Sequence, residues 1–571
     1  MKYKMLAAIA VVAAITLTAC SKKGPSYAKY IPKTSGYVVA FDVKSMMTKL
    51  AEDSLTMDNM ISVLNEDSTD ESGKALAMWE KFKDAGLDFE NKVLVALPEL
   101  DMKGGFSVQL VAGLKDAAKL EKFVSELPNA PKPVKEGDIS LVTEGELALG
   151  WNKDAVMIMV STSTPNYGML DVTDSNAVAE VPGADKAKGN IKKFFNLKEE
   201  ESIASVKAFN ELMQETADMA VYTSSESAAG AGNPYMAFMP KVGELLKGVY
   251  STSIINFEAD KISISGASYV GPKLAELLKK YAGPVADKSL LERYPSANLG
   301  AVAAFSFKPE VFPAVLKETG LDALANMATA ESGTNFEEIG KAFKGDFAVI
   351  FSDFEVKQMD AGKDALSSMS WQPAGKLVVA ARIGDKAAFD KLLGLAEKQQ
   401  MLVRQGNRIV PAAEVGAQGI YAGIEGDLLV ISNDSAIYAG YASGKAGAKL
   451  AEPVAANMSN QSMLFYINTP GILKAIPENL VDSSDVYTRN ILVRSKEVFG
   501  EIWFNSTNFD GKKVDSKGEV KVSGGKNSLS ALVKYLMYIA EQVKAKDKAD
   551  EAMINAMIEQ VNPPAEAAPN E

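Results

Sequence analysis

The sequence predicts an α+β protein built from two tandem homologous domains, each with a largely antiparallel sheet covered by amphipathic helices. Three observations support this: a repeated strand opening, repeated strand–helix–strand elements, and alternating strands followed by a helix near the end of each repeat. The predicted organisation is a lipoprotein signal peptide at 1–19, a flexible tether at 20–28, repeats at 29–288 and 289–545, and a charged helix with a disordered tail at 546–571.

The first repeated element is a Pro-containing turn followed by an apolar strand and a helix start. The stretch YIPKTSGYVVAFDVK (30–44) matches YPSANLGAVAAFSFK (294–308), so that Tyr30 aligns with Tyr294. Such β-favouring runs after turn residues predict strands.

The second element is an apolar strand that runs into an Asp at the start of a helix. VQLVAGLKDAAKLEKFV (108–124) matches LVVAARIGDKAAFDKLL (377–393), and Asp116 and Asp385 occupy the predicted N-cap positions. A strand follows each helix, AVMIMVS and DLLVISN. Spacing of i, i+3, i+4, i+7 predicts one apolar face per helix, formed by Leu120, Phe123, Val124 and Leu127, and by Phe389, Leu392, Leu393 and Ala396.

The third element closes each repeat. Residues 256–281 resemble 508–536, and both pair alternating strands with an amphipathic helix. Alternation as in KISISG and EVKVSG predicts antiparallel strands with one solvated face, which suits ferredoxin-like strand–helix–strand elements. The Gly and Pro content of 282–295 marks the boundary between the repeats.

Composition excludes several classes of chemistry. The chain has no His and one Cys, which rules out Ser-His-Asp and Cys-His catalysis and His-based zinc sites. A net charge of −12 argues against nucleic-acid binding, because nucleic-acid binders usually carry a basic face. We therefore expect no cofactor, no catalytic residue and no nucleic-acid partner.

The single cysteine, Cys20, ends a basic start and a short apolar run that are typical of a secretory signal. Leu-Thr-Ala-Cys resembles the lipobox of bacterial lipoproteins. The resemblance implies cleavage before Cys20 and acylation of its sulfur and new amine, for example with palmitate, which would anchor the chain to a bilayer. Ser21 resembles the outer-membrane sorting pattern, and the basic SKKG favours the periplasmic side. The alternative is a cleaved soluble secretory protein.

The lipobox, the YIP…VVAFDVK opening, GDKAAFDKLL and the two-half layout together resemble a Bacteroidetes-type lipoprotein family of unknown function. The resemblance covers nearly the whole mature chain. Its motifs are structural, so it implies a location, a Gram-negative outer membrane, and no mechanism.

Four sequence features are candidate sites, each with a structural alternative. The acidic stretches 65–72 and 171–185 suit Ca²⁺ or a solvated loop. SGGKNS (523–528) resembles a phosphate loop but lacks its first Gly and its hydroxyl residue. The same stretch contains the spacing Ser523-x-x-Lys526, which suits Ser-Lys catalysis; the structural alternative is a strand-to-helix turn. The Met-rich runs could line a pocket or fill the core. The tryptophans could line a binding groove or pack in the core; these are Trp79, Trp151, Trp371 and Trp503.

Three functions remain open. The first is a lipid-anchored envelope protein with a non-enzymatic binding or scaffolding role, whose partner is an envelope protein. The second is a carrier of a lipid or other apolar ligand. The third is a carboxylate-based enzyme, which predicts Asp or Glu pairs with raised pKa in a cleft.

Overall fold

A computed structural model of the chain describes residues 24–64, 69–101, 105–127, 131–161, 183–230, 240–330, 333–358, 371–412, 419–445, 447–478 and 485–561. Cys20, the predicted signal peptide and the tail after 561 lie outside these residues. The class expected from the sequence is confirmed, because the fold is mixed α+β with one large antiparallel sheet.

The described chain begins with a packed turn. Residues Ser26–Tyr30 form a 3₁₀ helix in which Tyr27 and Ala28 are buried, so ordered structure starts inside the segment predicted as the tether. Burial raises the pKa of the Tyr27 hydroxyl, which donates a hydrogen bond to the carbonyl of Lys92. The N-terminus of the body is therefore held within the core.

The first half of the chain forms eleven of the strands described here. These are β1 (Tyr37–Phe41), β2 (Leu87–Asp88), β3 (Val93–Asp101), β4 (Gly105–Leu114), β5 (Val134–Glu136), β6 (Ile139–Glu144), β7 (Leu147–Trp151), β8 (Ala155–Ser161), β9 (Met219–Ser224), β10 (Tyr250–Phe257) and β11 (Lys261–Tyr269). The helices are α1 (Val43–Glu52), α2 (Met57–Leu64), α3 (Thr69–Lys83), α4 (Ala117–Ser125), α5 (Gly183–Phe195), α6 (Lys207–Leu212), α7 (Ser225–Gly230), α8 (Pro240–Leu246) and α9 (Pro272–Tyr281).

The second half follows with ten described strands. These are β12 (Leu299–Ser306), β13 (Phe343–Gln358), β14 (Trp371–Ile383), β15 (Leu402–Gln405), β16 (Arg408–Pro411), β17 (Tyr421–Glu425), β18 (Leu428–Ser432), β19 (Met463–Ile467), β20 (Phe499–Ser506) and β21 (Lys513–Val522). The helices are α10 (Ser289–Glu292), α11 (Val311–Thr319), α12 (Asp322–Ala330), α13 (Phe336–Ala342), α14 (Lys386–Lys398), α15 (Ser435–Ala442), α16 (Glu452–Asn457), α17 (Thr469–Ala475), α18 (Val486–Val498) and α19 (Ser528–Val561).

The strands form one continuous antiparallel run whose centre is the pair β11–β21. On one side the order outward from the centre is β11, β10, β9, β1, β3, β4, β8, β7, β6, β5. On the other side it is β21, β20, β19, β12, β13, β14, β18, β17, β16, β15. Strand by strand, the two halves follow the same order, and the short β2 pairs with β4 in the first.

Helices cover both faces of the sheet in each half. In the first half, Phe194 of α5 packs in the core on one face and Phe123 of α4 packs on the other. In the second half, Tyr441 of α15 and Phe389 of α14 occupy separate cores. The amphipathic helices expected from the sequence, α4 and α14, therefore each close one core, and α5 and α15, which the sequence did not single out, close the other two.

The N-caps expected from the sequence are confirmed. A side-chain oxygen of Asp116 accepts hydrogen bonds from the N–H groups of Ala118 and Lys119, at 3.0 and 3.1 Å, and that of Asp385 accepts one from Ala388 at 2.9 Å. One detail differs in both halves, because three meander strands precede the expected one: β5 to β7 lie between α4 and β8, and β15 to β17 lie between α14 and β18. Short strands such as β5 and β15, with three and four residues, offer too few positions for a clear alternation pattern.

The two halves join through backbone pairing. Nine residue pairs connect β11 and β21, from Lys261 opposite Lys521 to Tyr269 opposite Lys513. The ion pair Lys261–Glu519, at 2.7 Å, crosses the same boundary. This boundary carries a full strand ladder, so the halves share one sheet.

The closing helices cross over to the opposite half. Helix α19 of the second half contacts α1 and α2 of the first, where Asn527 Nδ2 donates to the carbonyl of Lys49 at 2.8 Å. Helix α9 of the first half contacts α11 of the second, and Lys308 N donates to the carbonyl of Tyr281 at 3.3 Å. Each half thus supplies a helix that packs on the other.

We predict that Gly266→Ala destabilises the protein by about 1–3 kcal/mol, because a Cβ at this position of β11 would lie 2.6 Å from the carbonyl oxygen of Thr252. Thermal unfolding followed by circular dichroism measures the effect. The matched control is Gly189→Ala in α5, where a Cβ meets no atom within 4 Å and where Ala favours the helix. Equal melting temperatures for the two variants would contradict the tight packing at the centre of the sheet.

Candidate functional site

Helices α18 and α19 form the two walls of a surface cleft of about 540 Å³. Each wall is one helix face, because its lining residues recur at i, i+3, i+4, i+7. These are Asn490, Val493, Arg494 and Glu497 from α18, and Lys534, Met537, Tyr538 and Glu541 from α19. The volume is within the range of about 300–1,000 Å³ that is common for small-molecule sites.

The cleft lies where the two halves meet. Leu55, which follows α1 in the first half, is buried and completes the lining. Together with Val493, Met537 and Tyr538 it provides the apolar part of the surface. The charged part is balanced, since two cations and two carboxylates line the cleft, so the lining suits an amphipathic molecule.

Asp53 connects α19 to the first half beside the cleft. Its carboxylate accepts a hydrogen bond from the backbone N–H of Lys526 at 2.7 Å and one from Lys534 Nζ at 2.8 Å. Burial acts to raise the pKa of Asp53, but the Lys534 and Lys526 contacts outweigh it and hold the pKa below its usual value. The carboxylate therefore stays ionised and fixes the position of Lys534 in the lining.

Two hydrogen bonds hold the walls together. The hydroxyls of Ser495 and Tyr535 lie 2.6 Å apart, and Asn490 Nδ2 donates to Gln542 Oε1 at 2.9 Å.

At the far end of the walls, Lys546 Nζ lies 2.6 Å from Asp485 Oδ2. This ion pair, with hydrogen bonds from Thr488, lowers the pKa of Asp485 to about 2. Polar contacts at three positions along α18 and α19 therefore fix the two helices against each other.

The phosphate-loop-like stretch SGGKNS is the turn that begins α19. Its amide groups are already bonded, that of Lys526 to Asp53 and that of Ser528 to the carbonyl of Glu258 at 2.7 Å. Asn527 caps the helix, because its Oδ1 accepts from Ser530 N at 2.9 Å. The side chain of Lys526 is exposed. With its amides bonded and Asn527 capping the helix, the stretch 523–528 serves as a structural turn.

Most of the remaining candidate residues are part of the core. Trp79, Trp151 and Trp503 are buried, and so are Met157 and Met159, which confirms core packing at these positions. The side chain of Trp371 lies outside the described residues, as do most of the acidic stretches 65–72 and 171–185. The Ca²⁺ hypothesis therefore stays a prediction.

Every Asp or Glu in the described ranges whose pKa is shifted has a pKa below its usual value. Where burial acts to raise these values, ion pairs and hydrogen bonds to the carboxylates outweigh it. The groups are Asp53, Glu136, Glu244, Asp287, Glu338, Asp353, Glu397, Asp485 and Asp510. This pattern is typical of carboxylates held in structural ion pairs and hydrogen bonds.

The cleft is not among the features predicted from the sequence, because α18 is not singled out there as an amphipathic helix. The signal was present in VYTRNILVRSKEV, where Val493 and its neighbours at helical spacing follow Asp485, an N-cap whose side chain accepts from Thr488 N at 3.0 Å. The pairing of α18 with α19 and with Leu55, however, is a tertiary contact with no local sequence signature.

Residues 27–441 match a family defined as a domain of unknown function (DUF4836). The chain belongs to this family. The match starts at the first buried residue of the 3₁₀ helix, covers the strands from β1 to β18 and ends in α15, before β19 to β21 and both walls of the cleft.

No curated protein and no solved structure matches the chain. Among the described helices, none combines the length and the apolar composition that a bilayer span requires. Across those same residues, three or more His, Cys, Asp or Glu side chains do not come together as a potential metal site.

We predict that Asp53→Asn lowers the free energy of unfolding by about 2 kcal/mol at pH 7, because it removes the charge that Lys534 and the Lys526 amide stabilise. The folded-state pKa is lowered, so this stabilisation is present above the unfolded value of about 3.9 and is lost as pH falls through the folded value. Chemical denaturation at pH 7 and at about pH 3 measures it, with exposed Asp84→Asn as the control. A difference between Asp53→Asn and the parent that stays constant with pH would contradict this assignment.

Proposed function

We propose that the protein is a lipid-anchored lipoprotein of the Gram-negative outer membrane, facing the periplasm, with a non-enzymatic binding or scaffolding role. The observation that carries the proposal is the LTAC motif ending at the single cysteine, Cys20. Membership of the DUF4836 family is compatible with the Bacteroidetes-type lipoproteins that the sequence resembles, although the family itself has no assigned function.

The short distance between Cys20 and the packed core supports a body held close to the bilayer. The segment from Cys20 to Ser26 spans at most about 20 Å when it is fully extended. Ser26 begins the 3₁₀ helix, and a Cβ on Gly24 would lie 3.3 Å from Oδ1 of Asn210 in α6. We therefore infer that the end of the body carrying α6 lies nearest the membrane.

A duplicated architecture is part of this proposal. The matching strand order of the two halves supports two tandem α+β domains with ferredoxin-like strand–helix–strand elements, derived from one ancestral unit. Tyr30 and Tyr294, which align in the sequence, are both buried. Such a pair of joined units provides a wide, rigid surface for an envelope protein partner.

We predict that Cys20→Ser moves the protein from the membrane fraction to the soluble periplasmic fraction, because the acceptor sulfur for the acyl chains is lost. Fractionation and immunoblotting measure the distribution. Ser21→Ala is the matched control and should stay membrane-bound. Retention of Cys20→Ser at the membrane would contradict lipid anchoring.

A second candidate function, carriage of a lipid or other apolar ligand, is favoured by the cleft between α18 and α19. Its volume and its apolar residues Leu55, Val493 and Met537 suit one acyl chain, and Arg494 and Lys534 lie beside them as partners for a carboxylate headgroup. Both cations already have partners, since Arg494 contacts Glu497 at 2.6 Å and Lys534 contacts Asp53. A bound carboxylate headgroup would therefore share these two cations with Glu497 and Asp53.

For this candidate, the probe is 11-(dansylamino)undecanoic acid, whose fluorescence rises in an apolar environment. We predict saturable binding to the parent and a loss of at least about tenfold in affinity for Val493→Trp, which fills the cleft. Val486→Trp, on an exposed position of the same helix, is the control and should bind like the parent. Equal binding by both variants would exclude the cleft as the ligand site.

A further inference from the structure

Helix α19 carries a second apolar surface, which faces away from the cleft. Leu536, Val543, Ile554 and Ile558 are 61%, 47%, 57% and 54% exposed. Their spacing places them on one side of the helix, since 536 and 554 are five turns apart. We call these four residues the α19 stripe.

The stripe is long and the second part of it leaves the body. Positions 536–558 extend about 35 Å along the helix axis. Lys546 forms an ion pair with Asp485, the N-cap of α18, and every residue from 547 to 558 is exposed. A stripe of this length with no cover in the described chain is typical of a helix that packs on a partner.

We propose that the partner is a second copy of this chain, and that the two α19 helices pack antiparallel along their stripes. With the two-fold axis between positions 548 and 549, Val543 of one copy lies opposite Ile554 of the other. Ala540 then lies opposite Met557, which is 56% exposed. A single repeated contact thus covers the stripes of both copies, as expected of an isologous interface.

The charges along α19 favour the antiparallel direction. Lysines at 544, 546 and 548 precede the acidic pair Asp550 and Glu551. Lys544 and Glu551 are seven residues apart and share one flank of the stripe. In an antiparallel pair each Lys544 lies beside the Glu551 of the other copy, whereas a parallel pair would place the two lysine-rich turns side by side.

The same charges favour a protein partner over a lipid surface. Between 544 and 551 three lysines are balanced by three acidic residues, Asp547, Asp550 and Glu551. Helices that lie on a bilayer usually carry an excess of Lys and Arg on their polar face. Asp547 and Asp550 both sit within the stripe, and the same two-fold axis places Asp547 of one copy opposite Asp550 of the other. These like charges weaken the apolar contact, so we expect a reversible dimer.

The proposal is independent of acylation and is tested on the full-length Cys20→Ser chain in mild detergent. Sedimentation velocity should show a concentration-dependent dimer. Ile554→Asp with Ile558→Asp should give a monomer at concentrations where the parent is dimeric, and circular dichroism checks that both fold. The matched control carries Leu324→Asp and Met327→Asp, at exposed apolar positions of α12, and should dimerise like the parent.

Orientation and charge pairing have separate tests in the same background, which contains no other cysteine. Val543→Cys and Ile554→Cys should cross-link when mixed and not when each is alone. Glu551→Lys should weaken the dimer, and adding Lys544→Glu should restore it.

Three results would overturn the proposal. These are a parent that stays monomeric, a dimer that persists in the Ile554→Asp, Ile558→Asp variant, and self-cross-linking of each single cysteine. Monomeric parent protein that floats with phosphatidylethanolamine–phosphatidylglycerol vesicles through the stripe would point to a lipid surface instead.

Discussion

Pairing of β11 with β21 is the interaction on which the rest of the structure depends. It converts two sheets, each of which would otherwise end in an unpaired strand, into one antiparallel run. The crossed packing of α9 and α19 follows from this pairing, because each closing helix leaves its last strand at the boundary and lands on the neighbouring half. The cleft exists for the same reason, since Leu55 reaches α18 and α19 only across this boundary.

Helix α19 links architecture to function. Its first turn is fixed on the first half through Asn527 and Asp53, its middle forms one wall of the cleft, and its end projects with exposed apolar side chains. Both surfaces proposed for binding therefore depend on one helix. The segment matched by the family, 27–441, ends before this helix, although β21 and α19 complete the fold of the matched part.

Local patterns predicted local structure well. The N-caps Asp116 and Asp385, the apolar faces of α4 and α14 and the burial of Trp151 all follow from spacing and residue type. The joining of the halves could not be predicted this way. Strand pairing between positions such as Lys261 and Lys521, far apart in the chain, depends on backbone hydrogen bonds that leave no residue signature. The cleft is likewise a product of tertiary packing.

The central functional claim is that acyl chains on Cys20 hold this two-part body close to a bilayer. Intact-mass spectrometry of the protein extracted from membranes tests it most directly. We expect a chain that starts at Cys20 and carries a diacylglyceryl group with a further acyl chain on the new amine. A mass that corresponds to an unmodified thiol, or to a chain that keeps residues 1–19, would contradict it.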